Sequence, residues 1–159
     1  LTYFGKDKNI NKEDQLFISI GNNSIREQVF KDTIKKNPLD VIIIHEKSIV
    51  SNSAFIGKQT LINAGAIINS NVLVGLGCIV NTGAIIDHEC KIGNFSHIAP
   101  GATLAGNVIV GKNCFIGANS TVIQGVKIGD NVVIGAGTVV IRDLPDNSTI
   151  VGNPARIIK

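Results

Sequence analysis

Ile62-Asn-Ala-Gly-Ala-Ile-Ile68-Asn-Ser-Asn-Val-Leu-Val74-Gly-Leu-Gly-Cys-Ile-Val80 carries an aliphatic residue at every sixth position. The same beat runs without a gap from Val50 through Ile56 to Ile62, and onward through Ile86, Ile92, Ile98, Leu104, Val110, Ile116, Val122, Ile128 and Ile134 to Val140. A period of six fits neither the 3.6 of a helix nor the alternation of an isolated hairpin. It fits a parallel β-helix that turns a corner once per repeat, with three hexapeptides forming one three-sided coil of eighteen residues. Parallel strands stack about 4.8 Å apart, so the array predicts roughly five coils and a prism on the order of 25 Å tall.

Four places after each aliphatic the residue is mostly small, as at Ala54, Thr60, Ala66, Cys78, Ala84, Cys90, Ser96, Ala102, Cys114 and Ser120. Both positions are expected to point inward, one large and one small per face. Three places after the aliphatic, Gly or Asn recurs, as at Gly65, Asn71, Gly77, Gly83, Asn107 and Asn131. These residue types tolerate the positive φ that a tight corner demands.

The repeat occupies residues 50–140 of a 159-residue chain, which is long enough for one good core with a short non-repeating segment ahead of it. The net charge of +3 comes from scattered Lys and Arg, with Lys35-Lys36 the densest pair, and there are one Tyr and six Phe. No basic stripe interleaved with aromatics marks a nucleic-acid surface, so no nucleic-acid partner is expected. Residues 1–20 carry Lys6, Lys8, Lys12, Glu13 and Asp14, and no apolar run approaches the length of a membrane span. A cytoplasmic protein without a membrane partner is the expectation. Cys78, Cys90 and Cys114 stand at multiples of six from one another, all at the small inward position, and are expected to be packed thiols. No C-x-x-C pair occurs, which disfavours both thiol catalysis and a metal site.

Ahead of the repeat, Leu16-Phe-Ile-Ser-Ile20 reads as a short strand. Ser24 to Lys36 follows with Ile25, Val29, Phe30 and Ile34 at helical spacing, stopped by Asn37-Pro38, and Val41-Ile-Ile-Ile44 reads as a second strand. The three together predict a β-α-β unit, a partial Rossmann-like α/β domain over residues 1–45, then the β-helix over 46–142 and a capping tail over 143–159. Gly21-Asn22-Asn23 opens the helix, where unpaired main-chain N–H groups and the helix dipole suit a polar or anionic ligand. A plain helix start would explain the same residues.

The repeat departs from its pattern between Asn81 and Pro100, with Asp87-His88-Glu89 and Ser96-His97-Ile-Ala-Pro100. Glu89 takes a corner position, and His88, between inward Ile86 and inward Cys90, is expected to project outward. His97, nine residues on, faces another side, so the two histidines cannot meet on one prism; around a threefold axis the side with His88 can face a neighbour's side with His97. A histidine beside a carboxylate has the makings of a general base, because its pKa is near neutral and the acid orients the ring. A solvated surface histidine is the plain alternative. Gly106 stands eighteen residues after His88 and is expected directly above it, where its N–H could polarise a carbonyl. Ala118 and Ala136, also eighteen apart, form a small-residue column along which an extended ligand could lie.

These stretches, with Ala105-Gly-Asn-Val-Ile-Val-Gly-Lys-Asn-Cys-Phe-Ile-Gly117 and the tail Val151-Gly-Asn-Pro-Ala-Arg156, resemble the left-handed β-helix sugar acetyltransferases of the sialic acid O-acetyltransferase and bacillosamine-pathway N-acetyltransferase family. The resemblance runs from Ile18 to Ile158 and implies a left-handed coil, a homotrimer with active sites between subunits, acetyl-CoA as cosubstrate without a metal, and a nucleotide sugar acceptor, UDP-linked and bearing a 4-amino group. By position it implies His88 as general base, Glu89 as its carboxylate partner and Asn81 in the acceptor pocket. His97, Gly106, Ala118 and Ala136 would contact acetyl-CoA, and Gly21, Asn22 and Asn23 the nucleotide part of the acceptor. Family members begin with a strand and a Gly-rich turn that this chain, opening at Leu1, does not show; a truncated N-terminus with weakened acceptor binding is the corresponding expectation.

Direct transfer follows from this reading: His88 accepts the proton of the acceptor amine as it attacks the thioester, and no acyl-enzyme forms on the inward cysteines. An O-acetyltransferase acting on a sugar hydroxyl needs the same base and stays open. A zinc hydratase on the same scaffold needs three convergent histidines, and His45 lies 43 residues from His88, which is not a multiple of the coil length. An ice-binding surface would show a threonine ladder, and none is visible.

Overall fold

The computed structural model describes residues 15–34 and 40–159. From Ile43 onward the chain is a parallel β-helix of strands two or three residues long on three faces. The first face carries Ile43–Ile44, Leu61–Ile62, Ile79–Val80, His97–Ile98, Phe115–Ile116, Val133–Ile134 and Thr149–Val151, closed by the antiparallel pair Arg156–Ile157. The second carries Ile49–Val50 through Ile85–Ile86 to Val139–Val140, and the third Phe55–Ile56 through Lys91–Ile92 to Lys127–Ile128.

Strands pair at the spacing that the repeat predicts. Ile43 lies opposite Leu61, Ile85 opposite Thr103 and Val122 opposite Val140, each eighteen residues on. The second residue of each pair points inward, and Ile62, Ile86, Ile98, Leu104, Ile116 and Ile134 are fully buried together with the small inward Ala66, Cys78, Ala84, Cys90, Ala102 and Cys114. Removing one such Val or Ile side chain from water is worth about 1.5–3 kcal/mol, so the stacked interior is the main source of stability. Each repeat from Ile56 to Ile134 turns at a residue with positive φ: Gly65, Asn71, Gly77, Gly83, Asn107 and Asn131 do so as expected, and so do Gln59, Glu89 and Phe95.

After Val140 the coil shortens, and Val133 pairs with Thr149, sixteen residues on rather than eighteen. Leu144 bridges to Ile128, and the Ala155 N–H donates to the Val139 carbonyl (3.0 Å), so the tail both continues the first face and folds over the last coil.

The N-terminal segment departs from expectation. No β-α-β unit forms among the described residues. Helix α1 runs Asn23–Thr33, and Ile43–Ile44 pairs with Leu61–Ile62 as the first strand of the coil. Residues 16–20 have no strand partner; Gln59 grips them instead, its Oε1 accepting from Ile18 N (3.0 Å) and its Nε2 donating to Leu16 O (2.7 Å). The Val41–Ile44 run is spent on the coil and not on a Rossmann sheet: the Ile43 N–H donates to the Thr60 carbonyl of the next coil (3.0 Å), while Ile42, Ile43 and Ile44 stand exposed. The buried face of α1 also differs. Arg26 and Phe30 are buried, whereas Ile25 and Ile34 stand exposed. The Asn37-Pro38 stop, the Lys35-Lys36 pair and the opening stretch Leu1 to Asp14 lie outside the described residues.

Two glycines test the coil separately. A Cβ at Gly93 would meet the Gly111 main chain of the next coil at 2.5 Å, whereas one at Gly83, with φ +65, meets nothing within 4 Å. Gly93→Ala must push neighbouring coils apart and is expected to destabilise by about 2–3 kcal/mol. Gly83→Ala bears only the left-handed backbone penalty of roughly 1–2 kcal/mol. Urea unfolding of the two variants checks the order.

Candidate active site

His88 sits on the corner between the second and third faces, in the turn between Ile85–Ile86 and Lys91–Ile92. The local sequence makes that turn. Asp87 Oδ1 accepts from the His88 main-chain N–H (2.7 Å) and from Asn69 Nδ2 of the preceding coil (2.9 Å), and Glu89 takes the left-handed corner with φ 61. The His88 N–H and then the Asn69 amide hold the Asp87 carboxyl below the usual range. Asp87 is thereby a turn-former and not the partner of the imidazole.

That partner is Glu89, whose Oε2 lies 3.3 Å from His88 Nδ1, with both side chains more than half exposed. A proton on Nδ1 directed at this carboxylate leaves the lone pair on Nε2. Nε2 is also the ring atom that a side chain at Gly106 would meet first: a Cβ built there would lie 2.5 Å from it. The eighteen-residue step therefore puts the imidazole against the bare backbone of the coil above. The Gly106 carbonyl is taken by the Gly125 N–H (3.0 Å).

His97 is on the first face, as expected, and does not meet His88 within one chain. Its Nε2 is 3.1 Å from Asn81 Nδ2, and Asn81 Oδ1 accepts from Asn63 Nδ2 (3.0 Å) and Thr82 N (2.8 Å), so the Asn81 amide donates to the ring and the His97 proton is assigned to Nδ1. That atom is buried without a hydrogen-bond partner among the described residues. Burial lowers the pKa of His97; the nearby Gly21 backbone, short of hydrogen-bond geometry, partly offsets this, and the Arg26 charge adds to the lowering. The Phe115 ring packs edge-on at 5.2 Å.

Ala118 and Ala136 occupy the corner between the first and second faces, one coil apart, with the Gly137 N–H donating to the Ala118 carbonyl (2.8 Å). The residues singled out in the sequence thus lie along two different edges of the prism. His88, Glu89 and Gly106 share one, and Asn81, Ala118 and Ala136 another, with His97 beside the latter.

Gly21-Asn22-Asn23 packs near His97, but its side chains are already engaged. Asn22 caps α1 by accepting from Ile25 N (3.0 Å), and Asn23 bridges Cys114 O (2.9 Å) and Arg26 (2.8 Å). What the turn can offer a ligand is main-chain N–H. His45 points elsewhere, its Nδ1 accepting from Lys47 N (3.1 Å). Burial raises the thiols of Cys78, to about 12, and Cys114, to about 11, and also lifts Cys90, which keeps all three protonated and un-nucleophilic at neutral pH. No helix among the described residues is long and apolar enough to cross a membrane.

Sequence reasoning missed Arg26, Gln59 and Phe95, which join the N-terminal segment to the prism. The signal was present: Gln59 and Phe95 stand at corner positions where Gly or Asn is the rule, and Phe95 packs edge-on against Phe30 at 5.5 Å.

Comparison with known proteins agrees with this architecture. Residues 107–142 match the hexapeptide repeat of succinyl-transferase, and residues 89–124 the bacterial transferase hexapeptide of six repeats. A single-histidine variant of GDP-perosamine N-acetyl transferase from Caulobacter crescentus, solved with CoA and GDP-perosamine, is 38% identical, with a TM-score of 0.90 over 92% of this chain and 70% of that one. The acetyltransferase domain of PglB from Neisseria gonorrhoeae, solved with acetyl coenzyme A, is 36% identical, with a TM-score of 0.90 over 95% of this chain and 74% of that one. WeeI from Acinetobacter baumannii is 28% identical, with a TM-score of 0.86 over 89% and 69%. A comparison with curated proteins finds none that matches. The chain belongs to the bacterial hexapeptide-repeat transferases. Within them it is an acetyltransferase.

The depressed pKa of His97 gives a pH dependence. The folded ring stays neutral, whereas the unfolded ring takes a proton below about pH 6.5, so stability is full above that value and falls as the pH drops toward the folded-state pKa. The melting temperature is expected to decline between about pH 7 and 5.5, and His97→Gln is expected to flatten that decline; thermal melts across this range check it.

Proposed function

We propose that the protein transfers the acetyl group of acetyl-CoA to the amino group of a nucleotide-linked amino-dideoxy sugar by direct attack, with His88 as general base. The observation that carries this reading is the His88 imidazole, Nδ1 on the Glu89 carboxylate and Nε2 against Gly106. Nε2 takes the proton of the acceptor amine as its nitrogen bonds to the thioester carbonyl carbon. The oxyanion lies near the Gly106 N–H, and the carbonyl then reforms as the C–S bond breaks and the imidazolium returns its proton to the departing thiolate. No covalent enzyme intermediate is needed, in keeping with three buried, protonated cysteines.

The two-edge arrangement supports a homotrimer, and the sequence resemblance implies that its coils are left-handed. A cosubstrate that touches Gly106 on one edge and His97, Ala118 and Ala136 on or beside another must lie between two prisms, with Asn81 reaching the acceptor. Relatives solved with CoA and GDP-perosamine, or with acetyl coenzyme A, favour acetyl-CoA and a sugar nucleotide. The Gly21-Asn22-Asn23 turn, lying near His97, contributes its N–H groups to the nucleotide part of the acceptor. The sequence resemblance favours a UDP-linked 4-amino sugar and the Caulobacter relative a GDP-linked one. A panel of UDP-, GDP-, dTDP- and CMP-sugars with acetyl-CoA, read by thiol release, decides between them, and its hydroxyl acceptors test O-acetylation.

With the best acceptor, His88→Ala is expected to lower kcat by roughly 10²–10⁴-fold with the KM for acetyl-CoA nearly kept; unchanged turnover rejects the base assignment. Gly106→Ala is expected to lower kcat by about 10²-fold or more without unfolding the protein, because the added methyl displaces only the end of the imidazole; steady-state rates and a thermal melt separate the two effects.

A further inference from the structure

Arg26 is 2% exposed, and all five of its guanidinium N–H groups are used. Nε donates to Gly77 O (2.7 Å), Nη1 to Ile20 O (2.7 Å) and Gly21 O (3.2 Å), and Nη2 to Asn23 Oδ1 (2.8 Å) and Phe95 O (2.7 Å). None of these acceptors is a carboxylate. The charge is held by four main-chain carbonyls and one amide oxygen, a costly arrangement to choose for stability alone, since an apolar side chain would fill the space without desolvating a cation.

The five acceptors fall in two groups. Ile20, Gly21 and Asn23 belong to the turn that opens α1, and Gly77 and Phe95 are stacked corner residues of the prism eighteen apart. Phe95 is two residues before His97, and the Gly21 backbone, which Arg26 holds, lies near the His97 ring. The guanidinium therefore sets the position of the turn relative to the His97–Asn81 pair.

We infer that Arg26 is a positioning residue for the acceptor: by tying the Gly21-Asn22-Asn23 turn to the prism beside His97, it fixes the main-chain donors that meet the nucleotide part of the sugar substrate. The inference rests on the proposed role of that turn. Lysine cannot replace it, because a point charge with three donors does not span two carbonyl groups of the prism and three acceptors of the turn. Gln59 supplies an internal control. It clamps residues 16–18 to the same edge of the prism, and its side-chain hydrogen bonds go to Ile18 and Leu16 and not to the turn.

The test compares Arg26→Lys with Gln59→Ala in the full chain, using acetyl-CoA with a UDP-linked 4-amino-4,6-dideoxy sugar and, separately, GDP-perosamine. Arg26→Lys is expected to raise the acceptor KM about tenfold or more, as loss of charge-assisted hydrogen bonds implies, with the acetyl-CoA KM and the saturated kcat within roughly threefold of wild type; Gln59→Ala is expected to leave the acceptor KM within about twofold. An unchanged acceptor KM in Arg26→Lys overturns the inference. So does an equal rise in Gln59→Ala, which would mean general loosening of the segment.

Hydrogen exchange on the wild type separates this failure from failure of the acceptor reading. If neither sugar slows exchange at residues 21–26, the turn does not bind acceptor, and the inference falls with it. If the turn is protected and the acceptor KM of Arg26→Lys is unchanged, the inference alone fails. Should Arg26→Lys not accumulate, joint slowing at residues 21–26 and 95–97 on adding sugar supports the coupling, and slowing at the turn alone overturns it.

Discussion

The eighteen-residue step from one coil to the next is the constraint on which everything else in this molecule depends. Main-chain donors are satisfied by the coil above or below, as in Ile85 N to Ala102 O and Phe115 N to Val132 O, so a residue's height on the prism is fixed by its number and its face by its remainder on division by eighteen. An unpaired buried amide would be expensive, and slipping the register by one residue would turn Ile86 or Ile116 outward. Because the ladder cannot slip, two residues eighteen apart are held in contact without any interaction of their own. The meeting of His88 and Gly106 is of this kind.

The same constraint separates the work of the two sides of the chain. Inward residues carry the stability, and corner residues, already committed to a turn, are free to present side chains. His88 and Glu89 stand more than half exposed, so placing a titratable pair there carries little desolvation penalty. The N-terminal segment is joined by different physics. It has no ladder to share with the prism over residues 16–34, and it is held by side-chain hydrogen bonds: Gln59 and Arg26 to main-chain groups, and Asn113, whose amide donates to the Glu27 carboxylate at 2.7 Å. Such contacts are specific in direction and, on the proposed function, fix the placement of the segment beside His97.

This division explains what could be read from the chain in advance. The coil, its inward and corner positions and the superposition of Gly106 on His88 were legible because each follows from counting by six and eighteen. The N-terminal segment was not. Its apolar residues suggested a strand at 16–20 and a helix stripe through Ile25 and Ile34, but a Rossmann-like reading needs a sheet partner, and among the described residues the edge strand expected to serve, Ile43–Ile44, is taken by Leu61–Ile62. Hydrophobic periodicity also cannot anticipate that a helix buries an arginine, as α1 does with Arg26, because the energy comes from carbonyls brought near by the tertiary fold. The informative clue was negative: Gln59 and Phe95 accept a backbone conformation unfavourable to their side chains, and such exceptions in a regular array mark where something else docks.

The distribution of polar groups over the edges carries the argument one step further. Asn63, Asn81 and His97 form a continuous hydrogen-bonded line near one edge, and Asn69, Asp87 and the His88 backbone form another along the edge that holds the proposed base. Apart from His97 Nδ1, which has no partner among the described residues, each line is hydrogen-bonded within its own chain and does not draw on the other. What a single prism lacks is a surface that places His88 Nε2 and the His97–Asn81 pair around the same reacting atoms. On a rigid solenoid that deficit cannot be met by bending, because closing the distance between two edges would break the ladder that fixes both. The proposed transfer meets it with a second copy, and on that reading activity is tied to assembly through the same hydrogen bonds that make the coil.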